Sequence, residues 1–199
     1  MNNPEYSRRE LMRRLGTIML GSIAAPGLAR AGEMQDEPAF ISIKKGAGEK
    51  GRVGGMDIVF KLTTEQTDGH MACDEATLQP GFLGAPPHRH QKTDEVCYML
   101  EGALHIMVDG VVTEVSTGDW HLRPKGKVHT FWNPGKVPAR FIDIYLPGGH
   151  ERYMKDLAKL FRNNAKPKPN DFVALAAKHD IEYFWDQLPK VMETYKVHL

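Results

Sequence analysis

The sequence lacks the net charge that would direct it to an oppositely charged partner. Its 26 basic and 25 acidic side chains leave a formal net charge of +1 over 199 residues. Residues 1–31 hold five arginines and two glutamates, so the remainder, with 21 basic and 23 acidic side chains, carries a net charge of −2. Neither value is a strong excess of one sign. We therefore expect no nucleic acid and no membrane as a partner of the mature protein.

The sequence also lacks an apolar run suited to crossing a bilayer. The stretch from Leu15 to Pro26 is shorter than the roughly 20 residues that a spanning helix needs, and it is rich in Gly, Ser and Ala. Arg8 and Arg9 lie before it in a Ser-Arg-Arg-Glu-Leu-Met segment that resembles the twin-arginine export motif. Ala29-Arg30-Ala31 follows it with small residues at the positions that a signal peptidase reads. We predict a twin-arginine signal peptide over residues 1–31 and a periplasmic mature protein.

Cysteine is scarce, with Cys73 and Cys97 as the two examples in the chain. An oxidising compartment such as the periplasm permits a disulfide between them. Both residues also lie in apolar, strand-like runs, where a free cysteine behaves as a small buried hydrophobic residue. The sequence leaves these two alternatives open.

Residues 38–146 are organised as short apolar or β-branched runs separated by turn sequences, beginning with a run over Ala39–Ile43. Leu104, Ile106 and Val108 alternate with other residues, as one buried face of a strand should. Asp109-Gly110 lies between two such runs and predicts a two-residue hairpin turn. Many short strands with regular turns are typical of a sandwich or barrel. Since the sequence has no internal repeat, we predict an all-β fold with a single barrel.

The pattern changes after Pro147. Tyr153 and Leu157 are spaced as on one face of a helix within residues 150–162, and Asn170 is suited to cap a second short helix. We predict that residues 147–199 form a short C-terminal helical extension packing on the outside of the barrel or at a dimer contact.

Four side chains form a pattern typical of a metal site. His88 and His90 are two residues apart, so in an extended strand both imidazoles point to the same side. Glu95 opens the next strand after a polar turn, and His129 begins a later strand. Three imidazoles and one carboxylate suit a divalent transition metal better than calcium or magnesium. Iron, manganese, nickel, cobalt, copper and zinc all accept this set of ligands, so the sequence predicts one metal ion without identifying it.

The residues around these ligands resemble the two conserved motifs of the cupin superfamily. The first motif reads His88-x-His90-x4-Glu95-x6-Gly102, and the second reads Gly118-x5-Pro124-x-Gly126-x2-His129-x3-Asn133. One position is loose, because the glycine that leads the first motif has no counterpart at the usual distance from His88. Segments such as Ala85-Pro86-Pro87-His88 are also similar to small quercetin-dioxygenase-like cupins.

This resemblance implies a jelly-roll (cupin) barrel with the metal inside, usually in a homodimer. It also implies that Glu95 doubles as the catalytic base that takes the substrate proton. Four protein ligands on an octahedral ion leave two positions for water, a chelating substrate oxygen or dioxygen. The function we expect is that of a metal-dependent dioxygenase acting on a phenolic or enolisable small molecule. Three alternatives remain: a non-oxidative isomerase, decarboxylase or lyase, a small-molecule-binding protein without turnover, and a structural metal site.

Strand parity predicts the residues around the metal. Cys97 and Met99 share the parity of Glu95, and Phe131 shares that of His129, so we expect all three to face the barrel interior and line the pocket. His150 lies at the expected start of a helix, where we predict a solvated side chain.

Overall fold

In a computed structural model of the protein, the structure describes residues 40–165 and 167–199. Residues 42–199 form one unit, and its strands are β1 Glu49–Val53, β2 Met56–Leu62, β3 Ala72–Leu78, β4 His88–Arg89, β5 Asp94–Glu101, β6 Ala103–Val108, β7 Val111–Ser116, β8 Trp120–Arg123, β9 His129–Trp132, β10 Ala139–Leu146 and β11 Glu182–Tyr183. The helices are α1 His150–Leu160, α2 Pro169–Ala176 and α3 Leu188–Tyr195, with 3-10 turns at Glu65–Thr67 and Arg162–Asn164. Among the described residues, no helix combines the length and hydropathy needed to span a bilayer. The signal peptide predicted for residues 1–31, with Arg8 and Arg9, lies outside them.

The strands pair into two antiparallel sheets. One sheet has the order β1-β2-β3-β10-β5-β8, and the other has the order β11-β4-β9-β6-β7. Apolar side chains from both sheets, such as Phe60, Met99, Ile106 and Phe141, meet in one core between them. The all-β jelly-roll architecture predicted from the sequence is confirmed.

The hairpin predicted at Asp109-Gly110 is present. It joins β6 to β7, with Val108 directly opposite Val111. Asp109 has φ of 47° and Gly110 has φ of 83°. Two successive residues with positive φ are what a type I′ turn requires, and Asp-Gly tolerates them better than most pairs.

The strand predicted at the start of the barrel is wrong. The described part of the 39–43 run, residues 40–43, forms no strand, and Phe40 is 78% exposed. The sheet instead begins with β1, which pairs with β2. Most of β1 is exposed and it lies at the sheet edge, so its sequence carries no clear alternation to predict a strand from.

The inward-facing side chains of the larger sheet are apolar at one end and polar at the other. Towards one end, Phe141 lies opposite Ala76 and Met99, and these side chains are buried in the apolar core. Two residues further along, Asp143 lies directly opposite Asp74, and both are buried. Burial of charged groups is costly unless they are paired or serve a function, so this polar end is where a site is expected.

The C-terminal extension does more than cover the barrel. Its strand β11 adds to the smaller sheet beside β4, with Tyr183 directly opposite His88. The guanidinium of Arg89 donates to Glu182 at 3.0 Å from Nε. The extension therefore reaches the polar end of the barrel. The sequence had predicted only that it packs on the outside of the barrel or at a dimer contact.

Both cysteines are free. Cys97 is buried with its side chain toward the core, whereas Cys73 is half-buried on β3. Strand β10 separates β3 from β5, so the two residues are not neighbours in the sheet.

Candidate metal centre

The structure brings His88, His90, Glu95 and His129 together. One ligand atom from each lies within 4.8 Å of all the others, and all four residues are buried. The sheet explains the meeting: His88 on β4 lies directly opposite His129 on β9. Glu95 enters from β5 of the other sheet rather than from a strand adjacent to β4, because β4 and β5 belong to different sheets.

Backbone carbonyl groups fix which nitrogen of each imidazole faces the cluster. His88 Nδ1 lies 2.8 Å from the Pro86 oxygen, His90 Nδ1 lies 2.8 Å from the Asp180 oxygen, and His129 Nδ1 lies 3.1 Å from the Lys127 oxygen. A carbonyl oxygen only accepts hydrogen bonds, so each Nδ1 carries the hydrogen and each Nε2 presents a lone pair. This second interaction orients metal-binding histidines in proteins.

The inward-facing atoms fit a cation. His90 Nε2 lies 3.0 Å from Glu95 Oε1, and His129 Nε2 lies 3.4 Å from Glu95 Oε2. Neither contact has hydrogen-bond geometry, and both nitrogens are buried without a hydrogen-bond partner. Lone pairs that face a carboxylate at such distances repel it unless a cation lies between them. The four residues could therefore hold a metal ion, and the set of three imidazoles and one carboxylate suits a divalent transition metal.

Arg123 is a major component of the site that the sequence analysis missed. It lies directly opposite Glu95 on β8, is 1% exposed, and its Nη1 is 3.0 Å from Glu95 Oε2. Its Nη2 donates to Asp143 on β10. Burial alone would raise the pKa of Glu95, but the charge of Arg123 opposes it, and that pKa lies well below its usual range.

Asp74, Asp143 and Tyr145 are further buried polar residues beside the cluster. The Tyr145 hydroxyl donates to Asp74 Oδ2 at 2.8 Å. Burial, reinforced by the charge of Asp143, raises the pKa of Asp74 well above its ordinary value, and burial raises that of Asp143 to about 6. The sequence held one signal for these residues, since Asp74 and Asp143 occupy positions in phase with buried apolar neighbours on their strands.

The prediction for His150 is wrong. Its side chain is 9% exposed, and its Nε2 lies 3.8 Å from Glu95 Oε1. The ring packs against those of Tyr145 and His90, with centroids 4.5 and 4.7 Å away. Burial lowers the pKa of His150 to about 3, so the imidazole is neutral at physiological pH. A helix start is often solvated, but here α1 begins directly above the polar end of the barrel.

The cluster opens onto a cavity of about 860 Å³. Its floor is polar and includes His88, Glu95, Arg123, Asp74, Asp143, Tyr145 and His150. Its outer wall is apolar and aromatic, contributed by the extension through residues that include Tyr153, Leu157, Phe161, Phe172, Ile181, Tyr183 and Trp185. An apolar pocket with convergent polar groups at one end is the usual form of a small-molecule site.

The residues expected to line the pocket divide into two groups. Phe131 lines the cavity, and its ring lies so close to Gly84 that a side chain at that position would collide with it. Cys97 and Met99 are buried in the apolar core beneath the polar floor and are not part of the cavity wall.

Part of the chain is similar to known proteins. Residues 74–145 match the family described as Cupin domain. A germin-like protein of Arabidopsis thaliana (subfamily 2 member 1) is 32% identical over 105 residues, which cover 49% of this chain and 45% of that protein. Nectarin-1 of Nicotiana plumbaginifolia is 31% identical over 80 residues, which cover 35% of this chain and 33% of that protein. The matched segments thus span less than half the length of these relatives.

Solved structures include a predicted oxalate decarboxylase from Thermotoga maritima, 18% identical, with a TM-score of 0.49 over 54% of this chain and 99% of that one. The polyketide cyclase RemF from Streptomyces resistomycificus is 19% identical, with a TM-score of 0.48 over 54% of this chain and 79% of that one. Residues 74–145, which match the Cupin domain family, lie within the two antiparallel sheets around one core, and the fold of the chain is a jelly roll of the cupin type.

Proposed function

We propose that this protein is a mononuclear metal-dependent dioxygenase acting on a phenolic or enolisable small molecule. The observation that carries the proposal is the opening of the candidate metal centre onto the cavity. His88 and Glu95 both belong to the cavity's polar floor. A structural zinc site is normally closed by four ligands, whereas a catalytic site keeps a position for water or substrate. Access from a cavity therefore favours a catalytic or binding role over a structural one.

The chain's own residues would divide the work between binding and positioning. A divalent transition metal on His88, His90, Glu95 and His129 would supply a Lewis acid for a substrate oxygen and, if redox-active, a path for electrons to dioxygen. Arg123 holds the Glu95 carboxylate in place through Oε2. The rings of Tyr183 and Trp185, 4.9 Å apart at their centroids, provide an aromatic wall against which a planar ring can pack.

A non-oxidative reaction, such as isomerisation, decarboxylation or elimination, is the second candidate. The observation that favours it is the Asp74–Tyr145 pair on the cavity floor, which can hold and move a proton without dioxygen. A cavity that only binds its ligand is the third candidate, and the experiment below separates all three.

We expect the protein carrying its native metal to consume dioxygen with a flavonol or catechol, and Glu95→Ala to consume at least about 100-fold less because a metal ligand is lost. Elemental analysis of the isolated protein first identifies the metal, and an oxygen electrode then measures uptake across the panel. Glu101→Ala is the matched control, since Glu101 lies on the same strand with an exposed side chain. Equal product formation with and without dioxygen would favour the non-oxidative candidate, and binding without product would favour the binding protein.

We also propose export to the periplasm by the twin-arginine pathway, supported by Arg8 and Arg9 and the segment that follows them. Replacing both with lysine is expected to reduce periplasmic protein at least tenfold while the cytoplasmic amount rises. Cell fractionation and immunoblotting measure the two pools. The double replacement Arg13→Lys and Arg14→Lys is the control, and equal export of all three proteins would contradict the proposal.

The homodimer is proposed from the resemblance to small cupins alone. Light scattering of the purified mature protein is expected to give twice the mass of one chain. A mass of one chain across the micromolar range would contradict it.

A further inference from the structure

Asp74 is a buried carboxylic acid that lines the cavity. The proposed dioxygenase reaction has so far given it no role. It lies on β3 between Ala72 and Ala76, which share its inward face and are too small to fill the space around it. Its side chain is 2% exposed and lines the same cavity as His88 and Glu95. A buried carboxyl beside open space, rather than beside packed atoms, is placed to meet a bound molecule.

One carboxylate oxygen of Asp74 accepts a hydrogen bond within the protein and the other does not. Oδ2 accepts the hydrogen bond from the Tyr145 hydroxyl at 2.8 Å, and Tyr145 lies directly opposite Glu95 in the sheet. Within the described part of the chain, no hydrogen bond engages Asp74 Oδ1. By contrast, Glu95 has Oε2 against Arg123 and Oε1 against His90, each at 3.0 Å. Asp74 is thus a carboxyl of the floor with an oxygen left for substrate, and unlike Asp143 it has no arginine bound to its other oxygen.

The groups that face Asp74 set its charge. On β10 these are Asp143 and Tyr145, while Glu95 on β5 and Arg123 on β8 act from further across the sheet. On the other side, β2 presents the apolar Phe60 opposite Asp74. From α1, the ring of His150 packs against that of Tyr145.

A charge count connects Asp74 with substrate. A divalent cation on the cluster, with Glu95, Arg123 and Asp143 ionised and the imidazoles neutral, leaves one positive charge in a buried volume. The cation opposes the effect of burial on Asp74, so an ionised Asp74 balances that charge in the absence of substrate. When a substrate enters and binds as an anion, one negative charge is in excess, and a proton on Asp74 restores the balance.

Building on the function proposed above, we propose that Asp74, rather than the ligand Glu95, is the base that takes the proton of the substrate hydroxyl. The substrate O–H bond breaks and its electron pair stays on the substrate oxygen, while a new O–H bond forms at Asp74 Oδ1. Tyr145 keeps its hydrogen bond to Oδ2 throughout. Burial and Asp143 raise the pKa of Asp74 well above its usual value, which favours the protonated carboxyl once the substrate anion is bound. The substrate class is therefore one with an acidic enol or phenol hydroxyl.

The test counts protons that leave the protein when a probe binds. The probe is 4-nitrocatechol, added to the zinc-loaded full-length protein at a pH at which the free probe is neutral. Zinc has no redox chemistry, so the probe is not oxidised. Calorimetry in buffers of different ionisation enthalpy gives the number of protons released per probe, and the visible spectrum shows that the bound probe is anionic.

We expect the wild-type protein to release no proton to the buffer, and Asp74→Asn to release about one proton per bound probe. Glu75→Gln, the outward-facing neighbour on the same strand, should behave as wild type. Release of one proton by the wild type would overturn the role of Asp74 while leaving the proposed function intact, and this result needs no variant to fold. Absence of probe binding to the wild type would count against the proposed function itself and the inference with it.

Discussion

His129→Ala is expected to lower the metal content of the isolated protein from about one ion per chain to less than a tenth of that value. His129 supplies one of the three inward-facing Nε2 atoms, and its loss leaves Glu95 Oε2 with Arg123 as its remaining close partner. Even changes to groups that merely orient metal ligands reduce affinity by about 10–100-fold, so removal of a ligand should have a larger effect. Elemental analysis after purification by identical steps measures the result.

The control for this change is His105→Ala. His105 lies on β6, partly exposed, with Glu114 as its neighbour and no contact with the cluster. Its metal content should equal that of the wild type. If both variants retain a full complement of metal, the cluster is not the metal site, and the proposed function fails with it.

Arg123→Met is expected to destabilise the metal-free protein by about 3–5 kcal/mol at neutral pH, because it leaves Glu95 and Asp143 as buried charges without their shared partner. Arg140→Met removes an arginine with two carboxylate partners as well, Glu75 and Glu101, but its side chain is 30% exposed. That change should cost only about 0–1 kcal/mol. Urea unfolding followed by circular dichroism gives both values.

The two arginines together form the decisive comparison. Each bridges two carboxylates, so a difference between them reports burial rather than the number of ion pairs. Equal and small decreases in the free energy of unfolding for both variants would show that the floor of the site is hydrated. The conclusion that Arg123 lowers the pKa of Glu95 would then be wrong.

The fold and the meeting of the four candidate ligands could be predicted because their signals are local. His88 and His90 share a strand face by parity alone, and Asp109-Gly110 specifies a turn through its own backbone. Arg123 carries no such signal, because its role depends on the strand that lies beside it. A charged residue directly before Pro124 looks like part of a solvated turn until β8 is paired with β5.

The extension was harder to predict for a related reason. Strand β11 has two residues, and its partner His88 lies far away in the sequence. No periodicity exists in so short a segment. The burial of His150 likewise follows from where α1 meets Tyr145 and His90, which is a property of packing and not of the helix sequence.

The backbone carbonyl of Asp180 connects the C-terminal extension with the candidate metal centre. It receives the Nδ1 hydrogen of His90, and the Asp180 carboxylate also accepts from the Lys92 amide at 2.6 Å. Packing of the C-terminal extension against the barrel and the affinity of the cluster for a metal ion are consequently linked. Each must strengthen the other by the same factor. A chain shortened to its barrel strands β1 to β10 would thus lose both the outer wall of its cavity and the carbonyl that orients one of its candidate ligands.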